Sequence, residues 1–453
     1  MCTFLKLLRI EIVAIFVALL LLCFAYACGD ASSDGKTSDA GKENGGGTIG
    51  PAGVSGSRDS SGSGGTAKPI PDAEVPPEAG DAADQGGSSG IDGSGGTSGV
   101  SGAGGESGEG GTSGSSGTDG GTGGDGGDSE CRGGSQIDFS LVGWATENGT
   151  TTGGKNGTTT TVVNGEQLAQ ALKDKSDSDT PLTILVDGTI TAANSGDVEK
   201  FDVKDVRDVS IIGTGSGADF EGIGIKIFKA SNIIFRNLRV FKVDIGDKDA
   251  ISIEGPADHI WIDHCELYAE YQNVNKEYYD GLLDAKAEAE YITYSWNYLH
   301  DSWKTSLVGS GESDTYDRKI TIHHNYYRNC YSRLPLFRSG NGHIFNNYYV
   351  DIASTGINSR INACLRIENN YFSNVANPWV SAFSDVLGGV ELVCNTVTDG
   401  SRFNYSSNDV NEPLACEADI PYDYSSVLNH VDQVSSVVVE NAGVGKLADP
   451  TDY

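Results

Sequence analysis

The sequence predicts an all-β chain folded as a right-handed parallel β-helix, a solenoid in which short strands stack coil upon coil. Three observations lead to this fold class. Seven short strands of alternating polarity recur along the chain, they repeat every 22 to 32 residues or so, and nearly all of them end in asparagine. Strands this short cannot bury both faces alone, so neighbouring coils must supply the core.

Asparagine recurs at one position of this repeat. The repeating segments are residues 233–237, 260–265, 292–297, 320–325, 343–347, 365–370 and 391–395, with Cys265 in the asparagine position once. An asparagine amide both donates and accepts, so a stack of them can satisfy the carbonyls of buried bends. A β-sandwich with Asn-rich turns is the alternative. Connections of about 20 residues suit parallel pairing better than hairpins, and this favours the solenoid.

The N-terminus, residues 1–28, is predicted to be a lipoprotein-type export signal. Lys6 and Arg9 precede an apolar run over residues 10–27, which ends in the small-residue pattern Ala25-Tyr26-Ala27. Cys28 follows directly, as in signals whose cysteine is acylated. We expect the protein to be exported, and either extracellular or tethered at the cell surface, for example as an outer-membrane lipoprotein. Contact with a membrane is expected only through this N-terminal anchor.

Residues 29–130 are predicted to be a disordered linker. About half of the 62 glycines lie there, among Ser, Asp and Thr, and the segment has almost no large apolar residue to bury. As a random coil of about 100 residues it would reach roughly 50–60 Å. The folded domain is then residues 131–453. A net charge of −32 makes nucleic acid an unsuitable partner, because phosphate binding needs clustered Lys and Arg.

The folded part is predicted to open with a short capping helix. Asn164 is a typical N-cap, and Leu168 and Leu172 follow with helical spacing. Strands are predicted next at residues 183–186, 209–212 and 223–228, before the regular repeat begins. The helix is expected to cover the N-terminal end of the solenoid.

Six cysteines lie in the folded part, and an exported protein can pair them. They permit up to three disulfides, whose pairing the sequence does not choose. Metal ligation is disfavoured because the chain has no CxxC pair. The six are Cys131, Cys265, Cys330, Cys364, Cys394 and Cys416.

Four acidic residues are candidates for a metal site. Asp247 and Asp249 precede one predicted strand, and Asp280 and Asp284 flank an apolar tripeptide one coil further on. Carboxylates on adjacent coils bring oxygen ligands together, and hard oxygen donors without His or Cys suit calcium. In a chain with 63 acidic residues, a solvated acidic face is the alternative.

Four basic residues follow on successive coils. Lys286, Lys304, Arg333 and Arg338 are expected to line one face of the stacked helix. Beside the acidic cluster they predict a groove for a polyanion, held through calcium and a guanidinium fork. Surface ion pairs, which contribute little energy, are the alternative.

His323 and His324 are adjacent in one repeat segment. Neighbouring residues of a strand point to opposite sides, so the two are not expected to hold one metal together. A structural role, with one ring in the stack, is expected.

Eight ordered motifs between about residues 142 and 380 resemble the pectate lyases of polysaccharide lyase family 1. They are TILVDGTI at 183–190, DAISI at 249–253, WIDH at 261–264, DGLLD at 280–284, SWN at 295–297, KTSLVG at 304–309, IHHNYY at 322–327 and RLPLFR at 333–338. Their order and approximate spacing are those of the family. Residues 1–130 show no such resemblance.

The resemblance implies a parallel β-helix that cleaves α-1,4-polygalacturonate by calcium-dependent β-elimination, giving unsaturated oligogalacturonates. By position, it implies that Asp249, Asp280 and Asp284 are Ca²⁺ ligands, with Asp247 as a fourth candidate. Arg333 stands where the family has its proton-abstracting base. Lys304 and Arg338 stand at positions that bind the substrate carboxylate, with Lys286 assisting; Lys304 is therefore counted with Arg333 in the catalytic pair. We expect a monomer that acts on polygalacturonate or pectin.

Three other functions are compatible with the same fold. Pectin lyases act on methyl esters without calcium and lack the acidic ligand set, so Asp249, Asp280 and Asp284 favour the pectate side. A hydrolytic polygalacturonase would use paired carboxylates, and no Asp-Asp dipeptide occurs here. A non-catalytic, tethered polysaccharide-binding β-helix would not need Lys304, Arg333 and Arg338 in register with the acids.

Overall fold

The computed structural model describes residues 131–398, 400–405 and 409–453. The predicted export signal, residues 1–28, and the predicted linker, residues 29–130, lie outside the described residues. Within them the chain winds through about ten coils of a parallel β-helix, and three sheets run along its length. The predicted solenoid is confirmed.

Eleven of the described strands form the largest sheet, here called the long sheet. Strands are numbered in chain order. In spatial order the long sheet contains β1 (Thr158–Val162), β2 (Leu182–Val186), β5 (Arg207–Gly213), β8 (Ser231–Arg236), β11 (Ala257–Asp263), β14 (Ala289–Ser295), β17 (Lys319–His323), β20 (Asn341–Phe345), β23 (Cys364–Glu368), β26 (Gly389–Val393) and β29 (Leu414–Ala415).

A second sheet contains nine of the described strands, all parallel except the last pair, β25 and β28. They are β4 (Lys200–Lys204), β7 (Gly224–Phe228), β10 (Ile251–Glu254), β13 (Leu283–Lys286), β16 (Leu307–Val308), β19 (Leu336–Arg338), β22 (Ile357–Arg360), β25 (Trp379–Ala382) and β28 (Val410–Asn411).

A third sheet also contains nine of the described strands and completes each coil between the other two. They are β3 (Thr189–Thr191), β6 (Ala218–Glu221), β9 (Leu238–Phe241), β12 (Glu266–Tyr268), β15 (Tyr298–Lys304), β18 (Tyr326–Ser332), β21 (Tyr348–Ile352), β24 (Tyr371–Val375) and β27 (Thr396–Val397). The sequence repeat therefore identifies one strand per coil where the structure has three.

The core is built from rows of apolar side chains stacked in register along the axis. One such row of the long sheet is fully buried and consists of Ile184, Ile211, Phe235, Ile262, Tyr294, Ile322, Ile344 and Ile367. Each side chain of this size contributes about 1.5–3 kcal/mol on burial. No coil could bury its inward face without its neighbours, so the whole stack folds around one continuous core.

The predicted asparagine stack is a buried hydrogen-bond ladder at the end of the long sheet. The Nδ2 of Asn297 donates to Oδ1 of Asn325 at 2.9 Å, and Asn325 donates to Asn347 at 3.0 Å. The series continues through Asn370 to Asn395, each link 3.0 Å. The Cys265 backbone N–H donates to Asn297, so this residue begins the ladder without an amide of its own.

Asn237 was assigned to this ladder, and that assignment is wrong by one residue. The register pairs Arg236 with Asp263, which places Leu238, and not Asn237, beside Cys265. Asn237 instead adopts a left-handed conformation, with φ of 59°, which asparagine tolerates well. Its amide donates to the carbonyls of Gly213 and Gly215.

Two α-helices lie within the described residues, and neither has the length and apolar character needed to cross a membrane. Helix α1 (Gly165–Ser176) is the predicted capping helix: Asn164 accepts a hydrogen bond from Gln167 N, and Leu168 is fully buried against the first coils. Helix α2 (Val431–Asn441) was not predicted; Val434 and Val438 pack it onto tyrosines of the third sheet. Short 3₁₀ turns occur at Trp144–Thr146 and Ala192–Asn194.

Two disulfides form among the described cysteines, Cys131–Cys394 and Cys364–Cys416. Cys265 and Cys330 are reduced and fully buried in the core. Burial raises the pKa of each of these thiols to about 12, so both behave as small apolar side chains. Two of the three disulfides that the cysteine count permits are therefore present.

Residues 131–146, here called the N-terminal arm, lie along the outside of the solenoid. The backbone N–H of Gly134 donates to the Leu428 carbonyl, and the Phe139 ring contacts those of His264 and Trp296 at centroid distances of 4.8 and 5.0 Å. Trp144 N donates to Thr321 Oγ1 at 2.9 Å. The arm thus crosses several coils and covers polar side chains of the long sheet.

His323 and His324 contact each other, against the expectation that they face opposite sides. Strand β17 ends at His323, and His324 turns with a φ of 54°, which brings the two Nδ1 atoms to 2.8 Å. Both rings are stacked, His323 on Phe345 and His324 on Trp296. The pair is part of the packing beneath the N-terminal arm.

We predict that Asn325→Ala destabilises the protein by about 3 kcal/mol, because it removes the acceptor of the buried Asn297 backbone N–H and breaks the side-chain hydrogen bonds to Asn297 and Asn347. Chemical denaturation followed by circular dichroism measures the change. Asn273→Ala, at an exposed asparagine, is the control and should stay within about 0.5 kcal/mol of the parent. Equal stability of the two variants would contradict a structural role for the ladder.

Candidate active site

The predicted site residues lie where the third sheet turns into the second sheet. A backbone ladder crosses this corner: Ala250 N donates to Gly281 O, Leu282 N to Thr305 O, and Ser306 N to Arg333 O. Asp249, Asp280, Lys304 and Arg333 each stand next to or within this ladder, one on each of four successive coils. Two acidic positions are therefore followed by two basic ones along the axis.

Asp249 and Asp284 form the buried acidic part of the site. Their side chains are 5% and 3% exposed, and both carboxylates face Lys286, whose Nζ is 2.9 Å from Asp249 Oδ2 and 3.1 Å from Asp284 Oδ2. Asp249 also accepts from Gly281 N, and Asp284 from Leu307 N. One ammonium group thus faces two buried carboxylates.

The negative charge on Asp249 is not fully compensated by its surroundings, and its pKa is raised. Burial and the neighbouring charge of Asp284 raise the pKa of Asp249 from 3.8 to about 7, and Lys286 only partly offsets them. Burial alone would lower the pKa of Lys286, but the two carboxylates outweigh it and raise that pKa. A further cation at the pair would remove this imbalance.

Lys304 lies between two carboxylates at the end of β15. Its Nζ is 3.2 Å from Asp280 Oδ1 and 2.7 Å from Glu277 Oε2. The Lys304 side chain is 15% exposed, whereas that of Glu277 is 62% exposed. The sequence does not indicate a role for Glu277, because an isolated acidic residue in a long connection carries no recognisable pattern.

Asp247 is held by lysines of earlier coils. Its Oδ2 is 2.6 Å from Lys200 Nζ and 3.4 Å from Lys226 Nζ, and its side chain is 41% exposed. Although burial opposes it, these two ammonium groups lower the pKa of Asp247. The structure thus pairs Asp247 with these lysines, and pairs Asp249 and Asp284 with Lys286.

Arg333 follows β18 and stands at the start of the bend into the second sheet. Its φ of 66° lies in the left-handed region, and its carbonyl accepts from Ser306 N at 2.7 Å. The neighbouring Ser332 is in register with Lys304, so the two bases are offset by one residue on adjacent coils. Among the described residues, Nε of Arg333 has no hydrogen-bond partner.

Arg338 is almost fully buried, with 2% of its side chain exposed. It donates to the Gly309 carbonyl at 2.8 Å, and Glu312 Oε1 lies 3.6 Å from its Nε. In the second sheet, Val308 pairs with Ala285 on one side and with Phe337 on the other. The residues that follow these three, Lys286, Gly309 and Arg338, therefore lie in one row across adjacent coils. Glu312, like Glu277, is a loop acid that the sequence did not single out.

The donor set fits a hard divalent cation. Asp249, Asp280 and Asp284 offer only oxygen, and the buried pair carries more negative charge than Lys286 balances. The described residues nevertheless contain no group of three or more His, Cys, Asp or Glu side chains arranged to hold a metal. Lys286 stands between Asp249 and Asp284, and Asp280 binds Lys304.

Known proteins are similar to this chain in both sequence and fold. The family model described as pectate lyase matches residues 136–447. The pectate trisaccharide-lyase of Bacillus licheniformis is 52% identical over 312 residues, which are 68% of this chain and 88% of that protein. Pectate lyase plyB of Emericella nidulans is 38% identical over 307 residues, 67% of this chain and 88% of that one.

Solved structures agree. Pectate lyase Bsp165PelA from Bacillus sp. N165, in complex with trigalacturonate, superposes with a TM-score of 0.62 at 38% identity, covering 68% of this chain and 99% of that one. Pectate lyase C from Erwinia chrysanthemi with Ca²⁺ gives a TM-score of 0.59 at 27% identity, covering 68% and 97%. Fold and sequence together define a parallel β-helix enzyme, a lyase that acts on polysaccharides. The chain belongs to the pectate lyase family.

We predict that, in the absence of added metal ions, Asp249 makes the protein less stable as the pH rises from about 4 to 7, relative to a variant that cannot titrate at this position. The native state keeps the Asp249 proton up to a pH of about 7, whereas the unfolded chain releases it near 3.8, so the unfolded state binds fewer protons over this range. Thermal unfolding in chelator at several pH values measures the effect. The stability of Asp249→Asn, which has no proton to release, should therefore rise relative to that of the parent over this range, and parallel curves for the two proteins would contradict the raised pKa of Asp249.

Proposed function

We propose that this chain is a calcium-dependent pectate lyase that cleaves α-1,4-polygalacturonate by β-elimination and releases unsaturated oligogalacturonates. One observation carries the proposal: Asp249, Asp280, Lys304 and Arg333 follow one another along one corner of the solenoid. A repeating anionic polymer lying along that corner would meet the acidic positions and then the basic ones. The trigalacturonate bound by a structural neighbour supports the substrate class.

Calcium is the proposed cofactor, held by Asp249, Asp280 and Asp284, with Asp247 as a fourth candidate. When bound, it would neutralise the substrate carboxylate and so acidify the proton on the adjacent carbon. A neighbour solved with Ca²⁺ supports this choice of ion. Lys286 already provides one positive charge between Asp249 and Asp284.

Arg333 is the proposed base. Its Nε has no hydrogen-bond partner among the described residues, so no other group of the fold holds this atom. In the proposed reaction the neutral guanidine form of Arg333 takes the C5 proton, the electron pair of the C5–H bond forms the C4–C5 double bond, and the C4–O glycosidic bond breaks. The departing oxygen takes a proton from water.

Lys304, Arg338 and Lys286 are proposed to hold the uronate carboxylates. Removing a proton beside a carboxylate builds charge on a group that is already anionic, so fixed cations aimed at it stabilise the transition state. Lys304 lies nearest to Arg333 in the register, and we assign it to the reacting sugar. Arg338 and Lys286, in one row of the second sheet, are assigned to binding.

We also propose that the enzyme is exported and held at the cell surface, or released, as a monomer. The signal-like residues 1–28 and the glycine-rich residues 29–130 support this. Such a linker would let a tethered enzyme reach a polymer too large to enter the cell.

Incubation with polygalacturonate and calcium should produce the ultraviolet absorbance of the unsaturated product, and a chelator should abolish it. The reason is that the buried acidic pair cannot bind substrate carboxylates without a cation. Highly methyl-esterified pectin is the comparison substrate. Absorbance that chelation does not change would instead indicate a pectin lyase, and no absorbance at all would indicate a non-catalytic binding protein.

Arg333→Ala should lower kcat at least about 100-fold, the usual contribution of a general base, and leave calcium affinity, measured by calorimetry, unchanged. Arg328→Ala is the matched control, since this exposed arginine lies in β18, the strand that directly precedes Arg333. Retained turnover in Arg333→Ala would remove the residue from the base role.

A further inference from the structure

Glu277 places a carboxylate on the lysine that is proposed to bind the reacting sugar. Its Oε2 lies 2.7 Å from Lys304 Nζ, closer than Asp280 Oδ1 at 3.2 Å. Glu277 is the more exposed partner of the pair, at 62% against 15%. An arriving uronate carboxylate and Glu277 therefore require the same ammonium.

The connection that carries Glu277, residues 269–282, is anchored on both sides of it. Trp303, the neighbour of Lys304 in β15, donates its Nε1–H to the Val274 carbonyl at 3.0 Å. Lys248 Nζ donates to the Tyr278 carbonyl at 3.2 Å. The backbone around Glu277 is thereby fixed, and this fixed backbone holds its side chain within reach of Lys304.

A second loop acid repeats the arrangement on the next proposed substrate-binding base. Glu312, in the connection 309–318, lies 3.6 Å from Arg338 and is 56% exposed. It also accepts a hydrogen bond from Ser384 Oγ at 3.2 Å. Two of the bases proposed to bind substrate, Lys304 and Arg338, are thus each paired with a glutamate from a separate connection.

We propose that Glu277 is an internal, displaceable ligand of Lys304 that competes with the uronate carboxylate of substrate and product. The inference rests on the proposed function. Substrate binding breaks the ion pair between Glu277 and Lys304 and forms one between the substrate carboxylate and Lys304. The net binding free energy at Lys304 is therefore smaller than the new contact alone would give. The same competition speeds the release of anionic product, because Glu277 can rebind as the product carboxylate leaves.

Glu277→Gln tests the proposal, because it keeps the size of the side chain and removes its charge. Calorimetry with trigalacturonate and calcium, in an Arg333→Ala background that should lack turnover, measures binding alone. We expect affinity to rise about two- to fivefold, the range of an exposed ion pair, and the gain to shrink at high salt. In kinetic assays with calcium, KM for polygalacturonate should fall by the same factor, with tighter inhibition by product.

Two matched proteins complete the experiment. Glu270→Gln removes one charge from the same connection, where Glu270 pairs with Lys242 at 2.7 Å, and should leave trigalacturonate affinity unchanged. In a Lys304→Met background, Glu277→Gln should have no effect, because its partner is gone.

Unchanged or weaker binding in Glu277→Gln would overturn the inference, as would an equal gain in Glu270→Gln. Failure of the proposed function is distinguishable: the parent protein would then show no chelator-sensitive cleavage of polygalacturonate, whatever the binding result.

Discussion

The structure depends on the exact register of its stacked coils. Each strand pairs in parallel with the equivalent strand of the next coil, so any position in one coil lies about one strand spacing, roughly 4.8 Å, from its counterpart. The buried asparagine ladder from Asn297 to Asn395 maintains that register, because a slip of one residue would leave several buried amides unpaired. The same register brings the candidate site together, because residues far apart in sequence become neighbours along the axis at one corner of the solenoid.

The sequence predicted the strands that carry a strong repeat, together with three earlier ones at residues 183–186, 209–212 and 223–228, and missed the other strands. All seven repeat segments lie in or directly after strands of the long sheet, where alternating apolar residues, followed in most segments by asparagine, mark the strand. Strands such as β16, with two residues, are too short for any alternation and are formed by their neighbours. Asn237 was misplaced because pattern alone does not separate the ladder position from the left-handed residue before it.

In the candidate site too, some features were predictable from the sequence and others were not. The chain order of Asp249, Asp280, Lys304 and Arg333 was enough to predict that they meet, because coil stacking converts sequence period into adjacency. The partners of these residues were not predictable. The contact of Glu277 with Lys304 depends on the path of a long connection, and the position of Lys286 between Asp249 and Asp284 depends on side-chain conformation. Loop sequences have no periodic pattern, so the contacts of their side chains become apparent only in the three-dimensional structure.

The Cys131–Cys394 disulfide has a mechanical consequence. The N-terminal arm crosses several coils, and without a covalent link tension applied at residue 131 would peel it away contact by contact. With the disulfide, that load passes directly into the coil that contains Cys394. The arm is thereby isolated from the pull, so a domain tethered as proposed would keep its proposed active site in shape under load.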